Sequence, residues 1–598
     1  MRMLSRLRAF ARPEQQVLSI DVLAGMGPPD RAEQGQLAIL IRHFLDRFFN
    51  NEMASSDDEG KTRLIQVACA AGLPGFVAAM YLWPVYHDIL GRHRPYWARV
   101  SDHYLFVVYS MVAMGIVVVF EWDLFFPDLL DIFVLSSLPI KNRKLFLARI
   151  ATIVIFVVGF LFDANILAAL ALPAAIDPPG LGRFLAAHVV AVVGSGVFAA
   201  AAILAIQGTL LTLLGARMFR RISLLFQGLF ITALLMVLFL YPAVSGALPE
   251  FMHSNSAFAL SFPPFWFLGI YERVMEGPSA LPIYMRLART GCTVTVWVVA
   301  VAILSYPLAY WRRTRELIEG SGARDTRSVI ARPINRIMHM TVLRVPVRRA
   351  IFHFISQTLP RVQRYRIYLV MYGGLGLSLI IATVLRLHVW QGAVRVEISP
   401  DGLRAAIPMA AFWTIAGLRM AFVSPGDPQG RWIFRTIQGR PELEQLAATK
   451  TWILAWSNII TLAIVAALHA LVPPGSHAWK TIAAQVLVAV GLCLLLTDTF
   501  FLNVKILPFT GVKAPERTNL AIVLLKYVAA FVPLVLIVAR LEPWMEASVG
   551  NMATAASIIA ATHFGMQAVH RRLLRDHLNV PDVDEDQQQV FQTLGLRY

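Results

Sequence analysis

The chain has 598 residues, of which 57% are hydrophobic and only 15% charged, and its formal net charge is +17. Soluble domains contain about 45–50% apolar residues, so this composition excludes an ordinary soluble globular protein. The apolar residues form runs of about 20, the length with which an α-helix crosses a membrane. We therefore expect an all-α polytopic membrane protein. The basic excess follows the positive-inside rule and gives no reason to expect a nucleic-acid partner.

The first 62 residues, 1–62, are mostly polar and contain one amphipathic segment, at about 37–49. Its apolar residues recur at helical spacing on one face (Leu37, Leu40, Ile41, Phe44, Leu45 and Phe48). Because this segment leads towards the first apolar run, we predict a helix that lies in the cytoplasmic membrane interface.

Twelve apolar runs are long enough to span a membrane, and a basic segment divides them into two sets of six. The sequence predicts a first six-span unit at 63–311 and a cytoplasmic linker at 312–365, which contains an amphipathic helix at Ala350–Leu359. A second six-span unit follows at 366–570, and a cytoplasmic tail at 571–598. Most of the 54 Lys and Arg residues fall on one side of the membrane if both termini are cytoplasmic, so we predict an N-in, C-in topology.

The stretch Trp122–Arg149 lies between two apolar runs but is neither a span nor an ordinary polar loop. Acidic residues are followed by an amphipathic segment, by Leu138-Pro139 and by basic residues that include Lys141 and Arg143. We interpret the stretch as a short helix at the membrane surface with a turn after it.

A partial copy of this stretch occurs about 301 residues further along the chain. Three short pairs match in the same order, with a slip of about one residue at the proline (Ile132-Phe133 with Ile433-Phe434, Leu138-Pro139 with Arg440-Pro441, and Ala148-Arg149 with Thr449-Lys450). Both copies fall between the second and third spans of a set of six. The chain is therefore predicted to contain two diverged repeats.

The loop between the fifth and sixth runs contains the aromatic stretch Phe262–Val274. Pro263 and Pro264 would end a preceding helix, and the aromatic residues after them, including Trp266, suit a short external helix in the outer interface. An ordinary loop held by its aromatic side chains is the alternative.

Few charged residues fall inside the predicted spans, where each is costly unless it is paired or hydrated. They are Asp163, Arg419, Asp498 and Lys526. Asp498 and Lys526 lie at similar depth near the cytoplasmic ends of their spans, so we predict a salt bridge between them. The scarcity of charge near the midplane argues against an ion-coupled secondary transporter.

The chain contains no nucleotide-binding P-loop (GxxxxGK[ST]) and none of the patterns HExxH, CxxC and GxSxG. We therefore expect no catalytic residue, resident cofactor or metal ligand. The acids from Glu121 to Asp131 are an alternative, since a membrane enzyme could hold a divalent metal with such residues. Capping of a surface helix explains the same acids more simply.

The residues Asp131–Arg149 resemble the permease subunit of type-2 ABC exporters. The shared feature is an acidic, apolar segment that ends in Leu138-Pro139-Ile140 and a basic turn. The resemblance implies that this segment is a coupling helix on which a separate ABC ATPase subunit, expected as a dimer, binds and brings the ATP. The implied coupling residues are Asp131, Leu138, Pro139, Lys141 and Arg143, with Arg440 and Pro441 as a weaker counterpart.

The resemblance also implies an interface helix before each six-span unit and external helices before the sixth span. The chain departs from the family pattern because it fuses two units and its second coupling segment lacks the Leu-Pro-Ile sequence. We expect an integral-membrane permease of an ATP-driven exporter in the inner (cytoplasmic) membrane, with an amphiphilic or lipid-like substrate. The alternatives are a twelve-span secondary transporter, for which Asp163 is the candidate ion-linked acid, and a membrane enzyme acting on lipid-linked substrates.

Overall fold

The computed structural model describes residues 29–49, 57–86, 94–172, 180–254, 256–319, 344–390, 393–423, 443–471, 479–502, 509 and 520–579. Most of these residues are helical. The first eleven α-helices are α1 (Pro29–Phe49), α2 (Asp57–Tyr86), α3 (Tyr96–Phe120), α4 (Leu129–Ser136), α5 (Asn142–Ala171), α6 (Leu181–Phe239), α7 (Tyr241–Gly246), α8 (Leu248–Ser254), α9 (Ala257–Ser261), α10 (Pro263–Glu276) and α11 (Pro282–Ile318).

The remaining described part of the chain contains seven more α-helices and one β-hairpin. They are α12 (Pro346–Arg361), α13 (Gln363–Val384), β1 (Leu385–Trp390), β2 (Ala393–Ile398), α14 (Pro400–Val423), α15 (Leu443–Leu471), α16 (Trp479–Phe500), α17 (Leu520–Ala547) and α18 (Val549–Asn579). Both amphipathic segments predicted from the sequence are helical, within α1 and α12.

Ten helices of the described chain, counting α6 as two parts, are long and apolar enough to cross a membrane. The two parts of α6 meet at Gly215, whose φ of 71° lies in the left-handed region that favours glycine. The first and twelfth predicted spans fall in α2 and α18, which are helical but are not among the ten. The chain is thus a multi-pass helical membrane protein.

The antiparallel hairpin β1–β2 is a feature that the sequence reading missed. Leu385 pairs with Ile398 at its open end, and the backbone N–H of Ser399 donates to the carbonyl of Val384 at 2.8 Å. Leu385 and Leu387 continue the apolar run of α13. A prediction from hydropathy alone therefore extends the membrane span of α13 into the start of β1. The hairpin leaves the helical fold class unchanged.

The chain divides into two compact units. One contains Met1–Ile222 and Asn255–Gly322, and the other contains Ser223–Ser254 and Ala323–Tyr598. The second part of α6 therefore belongs to the unit that holds α12–α18. The division into two six-span units by sequence stays a prediction.

In the first unit, α2 packs along α5, and α10 packs between α11 and α3. In the second unit, α14 is central and contacts α13, α15, α16 and α17. Phe412 and Trp413 lie fully buried on α14, because apolar helices surround it. Each unit thus packs helices of its own, and in the second unit they surround α14.

Glycine permits the closest helix contact between α13 and the second part of α6. A Cβ atom at Gly374 would lie 2.6 Å from Cγ2 of Ile231, a β-branched side chain that cannot easily move. At the adjacent Gly373, no atom lies within 4 Å of the same added Cβ.

We expect Gly374→Ala to destabilise the protein by about 1–3 kcal/mol, because the added methyl overpacks this contact. Gly373→Ala is the matched control, and it should be neutral or gain about 0.5–1 kcal/mol from lower chain entropy. Thermal unfolding of the purified protein in detergent measures both. Equal effects of the two changes would contradict the close contact.

Candidate functional site

The stretch from Trp122 to Arg149 folds as a short helix with a turn after it, as the sequence predicts. Residues 121–128 are non-helical, α4 follows at Leu129–Ser136, and α5 begins at Asn142. The turn is closed by backbone hydrogen bonds from Leu138 to the Leu135 carbonyl at 3.3 Å and from Ile140 to the Leu138 carbonyl at 2.7 Å. The fixed φ of Pro139 suits this turn, and α5 resumes immediately after it.

One side of α4 and its turn is exposed and largely apolar. Phe133, Val134 and Leu138 are 65%, 59% and 47% exposed. Pro139, Lys141 and Arg143 are exposed beside them. We call these six residues the α4 patch. It combines exposed apolar side chains with two cations.

The opposite side of α4 is buried against α1 and α5. Leu135 forms a cluster with Leu40 and Phe44 of α1 and with Ala148 of α5. The apolar positions that define the amphipathic pattern of α1 therefore face α4 and α5. This packing holds α4 against α1 and α5 and leaves the α4 patch exposed.

Arg149 is the centre of the polar contacts behind α4. Its side chain is buried, and one terminal nitrogen donates to the carbonyls of Leu124 at 2.5 Å and Phe126 at 2.8 Å. The other terminal nitrogen lies 3.4 Å from Oδ2 of Asp131, and the guanidinium stacks 4.7 Å from the Phe44 ring centroid. A planar guanidinium with several donors can serve these partners at once.

Two further helices bind the same non-helical segment. The side-chain amide of Gln207 on α6 donates to the Trp122 carbonyl at 2.5 Å, and the hydroxyl of Tyr306 on α11 donates to the Phe125 carbonyl at 2.7 Å. Buried carbonyls outside a helix must find such partners. The segment before α4 is therefore tied to α5, α6 and α11.

No family model, curated protein or solved structure matches the chain.

Arg440 and Pro441, the predicted counterparts of the first coupling residues, lie outside the described residues. The helices next to them are described. Trp452, in the third turn of α15, donates its indole N–H to Ser356 of α12 at 2.8 Å. Thus α12 packs on α15 within the second unit, as α1 packs on α5 within the first.

The predicted salt bridge between Asp498 and Lys526 is wrong. Lys526 is exposed, whereas the buried Asp498 lies 3.7 Å from Nζ of Lys450 and 2.5 Å from Nδ1 of His563. The amide of Gln567 also donates to Asp498 at 3.2 Å. Asp498 and Lys526 lie at similar depth on α16 and α17, but their side chains do not face each other. The partners of Asp498 therefore come from α15 and α18 rather than from α17.

The other residues singled out from the sequence lie on three different helices, α14, α5 and α10. Arg419 on α14 is half-buried and contacts the hydroxyl of Tyr527. Asp163 lies on α5 and its Oδ2 is buried. The predicted external helix is α10: Pro263 and Pro264 are its first residues, and the buried Trp266 donates its indole N–H to the Leu260 carbonyl at 2.7 Å.

Several buried polar residues near the ends of the long helices were missed by sequence reasoning. In the first unit, Arg94 forms a bidentate contact with Asp102, and the next residue, His103, contacts Glu272 at 2.6 Å. In the second unit, Arg404 lies 3.2 Å from Glu546 and 3.8 Å from Glu542. In the sequence, each of these residues is an acid or a cation next to an apolar run. Exposed residues at the membrane surface give the same pattern, so the sequence does not distinguish the two.

The carboxyl group of Glu121, directly after α3, is buried beside the segment that Arg149 binds. Burial raises the pKa of Glu121 from 4.5 to about 8. Its Oε2 has no hydrogen-bond partner among the described residues. The group is therefore neutral in the folded protein below about pH 8.

We expect Arg149→Lys to destabilise the protein by about 3–5 kcal/mol, because an ammonium cannot serve two carbonyls, Asp131 and the Phe44 ring together. Arg143→Lys, at an exposed arginine six residues earlier, is the control and should be neutral. Thermal unfolding and limited proteolysis at residues 121–128 measure the effect. Unchanged proteolysis in Arg149→Lys would contradict the anchoring role.

Glu121→Gln should stabilise the protein increasingly as the pH rises from about 5 to about 8. Since the folded pKa is raised, the folded state holds more protons than the unfolded state in this window, and the wild type loses stability as the pH rises through it. Glutamine does not titrate and avoids this loss. The control Asp128→Asn changes an exposed carboxylate of the same segment. A pH-independent difference between Glu121→Gln and wild type would be the contrary outcome.

Proposed function

We propose that the chain is the integral-membrane permease of an ATP-driven exporter in the inner (cytoplasmic) membrane. A separate ABC ATPase subunit, acting as a dimer, docks on the α4 patch and supplies the energy. One observation carries this proposal. The helix α4 exposes apolar side chains on one side, while the backbone carbonyls of the segment leading into it accept hydrogen bonds from three long apolar helices.

The chemistry of the α4 patch suits a protein partner. Phe133, Val134 and Leu138 offer adjacent apolar area, and an apolar centre with a polar or charged rim is typical of protein–protein interfaces. Lys141 and Arg143 provide that rim and favour an acidic surface on the partner. Because the chain contains no P-loop, ATP binding is assigned to the partner.

The contacts behind α4 suit transmission of force. A push on α4 acts on the segment from Trp122 to Phe126, and from there on Arg149, Gln207 and Tyr306. These side chains belong to α5, α6 and α11, which would move together. Such a rigid-body switch between two states is how ATP-driven closure of the partner would open the transport pathway.

Two further features support a permease built from repeats, for which we propose the N-in, C-in topology predicted from the sequence. In each unit, an amphipathic helix (α1 or α12) packs on the long helix that contains the basic residue Arg149 or Lys450. These two basic residues are 301 positions apart, the offset that relates the coupling segments. The scarcity of charge in the apolar helices suits an amphiphilic or lipid-like substrate.

A twelve-span secondary transporter is the second candidate, and one observation favours it. Oδ2 of Asp163 is buried on α5 and has no hydrogen-bond partner among the described residues. An acid of this kind can bind and release a proton during transport. If Asp163→Asn abolished transport by a chain that carries no bound ATPase, this second function would be favoured.

We expect affinity purification of the full chain from its native membrane to recover a stoichiometric soluble ATPase subunit. Leu138→Asp and Pro139→Asp should each reduce the recovered ATPase at least about tenfold, since a loss of 1.4 kcal/mol of binding energy is tenfold in affinity. Mass spectrometry of the purified complexes measures the ratio of the two subunits.

The matched control is Ile318→Asp, the same kind of change at a residue that is 65% exposed at the end of α11. It should leave the recovered ATPase unchanged. The proposal would be contradicted if the chain were purified without an ATPase and retained transport activity after the Leu138 and Pro139 changes.

A further inference from the structure

The hairpin β1–β2 is a feature of the second unit that the proposed coupling function does not use. It joins α13 to α14, and both helices are long and apolar enough to span a membrane. Its exposed charged residues Arg386, Arg395 and Glu397 would be costly inside the bilayer, so the hairpin lies at the membrane surface. Within the described residues, the sheet consists of these two strands. Such a sheet has two outer edges, whose backbone groups can pair with a further strand.

The two outer edges of the hairpin have different surroundings. The strand β1 also packs on α8 and α13. In β2, by contrast, the consecutive residues 395–397 are exposed, and Val396 is 55% exposed. Edge strands that stay unpaired commonly carry a proline, a lysine or a bulge. The strand β2 contains neither proline nor lysine, and its residues pair with β1 without a bulge. Its outer edge is therefore suited to pairing with another strand.

The register of the hairpin determines which backbone groups of β2 point outward. The backbone N–H of Ser399 donates to the carbonyl of Val384 at 2.8 Å, so these residues form a hydrogen-bonded pair just beyond the strands. Hydrogen-bonded and non-hydrogen-bonded pairs alternate along an antiparallel ladder. Arg395 and Glu397, at even spacing from Ser399, therefore direct their backbone groups towards β1. The backbone groups on the outer edge belong to the alternate residues (Val394, Val396 and Ile398).

The sequence of β2 around Val396 is self-complementary in charge. Suppose that β2 of a second copy runs antiparallel to the first, with Val396 opposite the partner's Val396. Arg395 then lies opposite the partner's Glu397, and Glu397 lies opposite the partner's Arg395. Opposite charges at facing positions stabilise a strand pair, whereas like charges destabilise it.

Other registers of this strand pair are unfavourable. A shift of two residues in either direction would place Arg395 opposite the partner's Arg395, or Glu397 opposite the partner's Glu397. A shift of one residue would misalign the outward backbone groups of the two copies. The charges of β2 therefore favour one register, and the strand that fits it is a second copy of β2.

We propose that the outer edge of β2 is an interface between two copies of this chain, which pair through β2 to form a four-stranded antiparallel sheet. Backbone hydrogen bonds join Val396 to the partner's Val396, and Val394 to the partner's Ile398. Two ion pairs between Arg395 and Glu397 flank this centre. An isolated hairpin is only marginally stable in water, whereas a sheet of three or more strands is stable. The dimer therefore completes the sheet, and it does not depend on the proposed ATPase.

The membrane imposes a geometric condition that the hairpin meets. Two copies inserted in the same orientation are related by a two-fold axis along the membrane normal. The two-fold axis of an antiparallel strand pair is perpendicular to the sheet, so the sheet must lie along the membrane surface. The register places charged residues on one face of the hairpin and apolar residues on the other (Arg386, Arg395 and Glu397; Leu385, Leu387, Val396 and Ile398). Leu385 and Ile398 pack on the core of the second unit, and the charged residues are exposed to water.

The size of the proposed interface determines the conditions in which it forms. It pairs residues 394–398 of each copy, whereas a standard protein–protein interface contains about 20–30 residues a side. We therefore expect the chain to be mainly monomeric in dilute detergent solution. In a membrane, the hairpins of all copies are held at one depth, which raises their effective concentration. The association is therefore tested in phospholipid vesicles.

Cysteine crosslinking of the full chain in phospholipid vesicles tests both the interface and its register. The Cα atoms of the two central Val396 residues would lie about 5.5 Å apart, within the range of about 4.4–6.8 Å that a disulfide bridges. Oxidation of Val396→Cys should therefore give a disulfide-linked dimer, measured by non-reducing gel electrophoresis. The wild-type chain, which has three cysteines of its own, gives the background.

Arg395→Cys and Glu397→Cys are the matched controls for the register. Each new cysteine would lie about 7–8 Å from the same position of the partner, so neither variant alone should crosslink above the background. A mixture of the two variants should crosslink, because position 395 of one chain faces position 397 of the other. The mixed dimer also keeps one ion pair between Arg395 and Glu397.

A proline at position 396 tests the backbone pairing separately. The N–H of Val396 points away from β1, so Val396→Pro removes no hydrogen bond of the hairpin. Added to both chains of the mixture, it should lower crosslinking about tenfold or more, whereas Val396→Thr, which keeps the N–H and the β-branched shape, should not. The proposal is overturned if Val396→Cys or the mixture fails to crosslink above the wild type. It is also overturned if the unmixed variants crosslink as strongly as the mixture, or if Val396→Pro leaves crosslinking unchanged.

Discussion

The buried guanidinium of Arg149 is the interaction on which the end of the first unit that carries α4 depends. Between α3 and α4 the backbone leaves the helical pattern, and buried carbonyls then lack their usual partners. Arg149 serves two of them and also Asp131 at the start of α4. A hydrophobic side chain in its place would leave these groups unsatisfied. The position of α4, and with it the α4 patch, thus depends on this residue together with the packing of Leu135 against α1 and α5.

Arg149 and Lys450, which the predicted repeat pairs with each other, differ in what they bind. In the first unit, Arg149 is turned towards backbone carbonyls before α4. In the second unit, Lys450 faces Asp498 on α16, together with His563 on α18. An ammonium is a point charge that suits one carboxylate, whereas the guanidinium fork suits several acceptors. In the proposed permease, the two halves would therefore couple unequally to the ATPase.

The amphipathic helices could be predicted from the sequence, because their apolar residues recur with the helical period. The buried faces of α1, α4 and α12 follow this pattern, as Leu40, Leu135 and Ile355 illustrate. The sequence did not predict which side of each apolar helix faces its neighbours, because the residues on every side of these helices are apolar. The failed pairing of Asp498 with Lys526 came from this limit. The pair of His103 and Glu272 was missed because it joins residues 169 positions apart at the ends of two different helices.

The charges of the first unit suggest how its two ends would work together. Arg149 and Asp131 lie at one end of the bundle, and His103 and Glu272 lie at the other, with α3 leading from one pair to the other. A rigid helix of about 25 residues transmits a displacement along its length without a charged site at its centre. If force enters at α4, α3 would carry the displacement towards the contacts of His103 with Glu272 and Tyr271 at the far end. In the proposed permease, the partner would supply the force, and these contacts would set how much force is needed to open the far end.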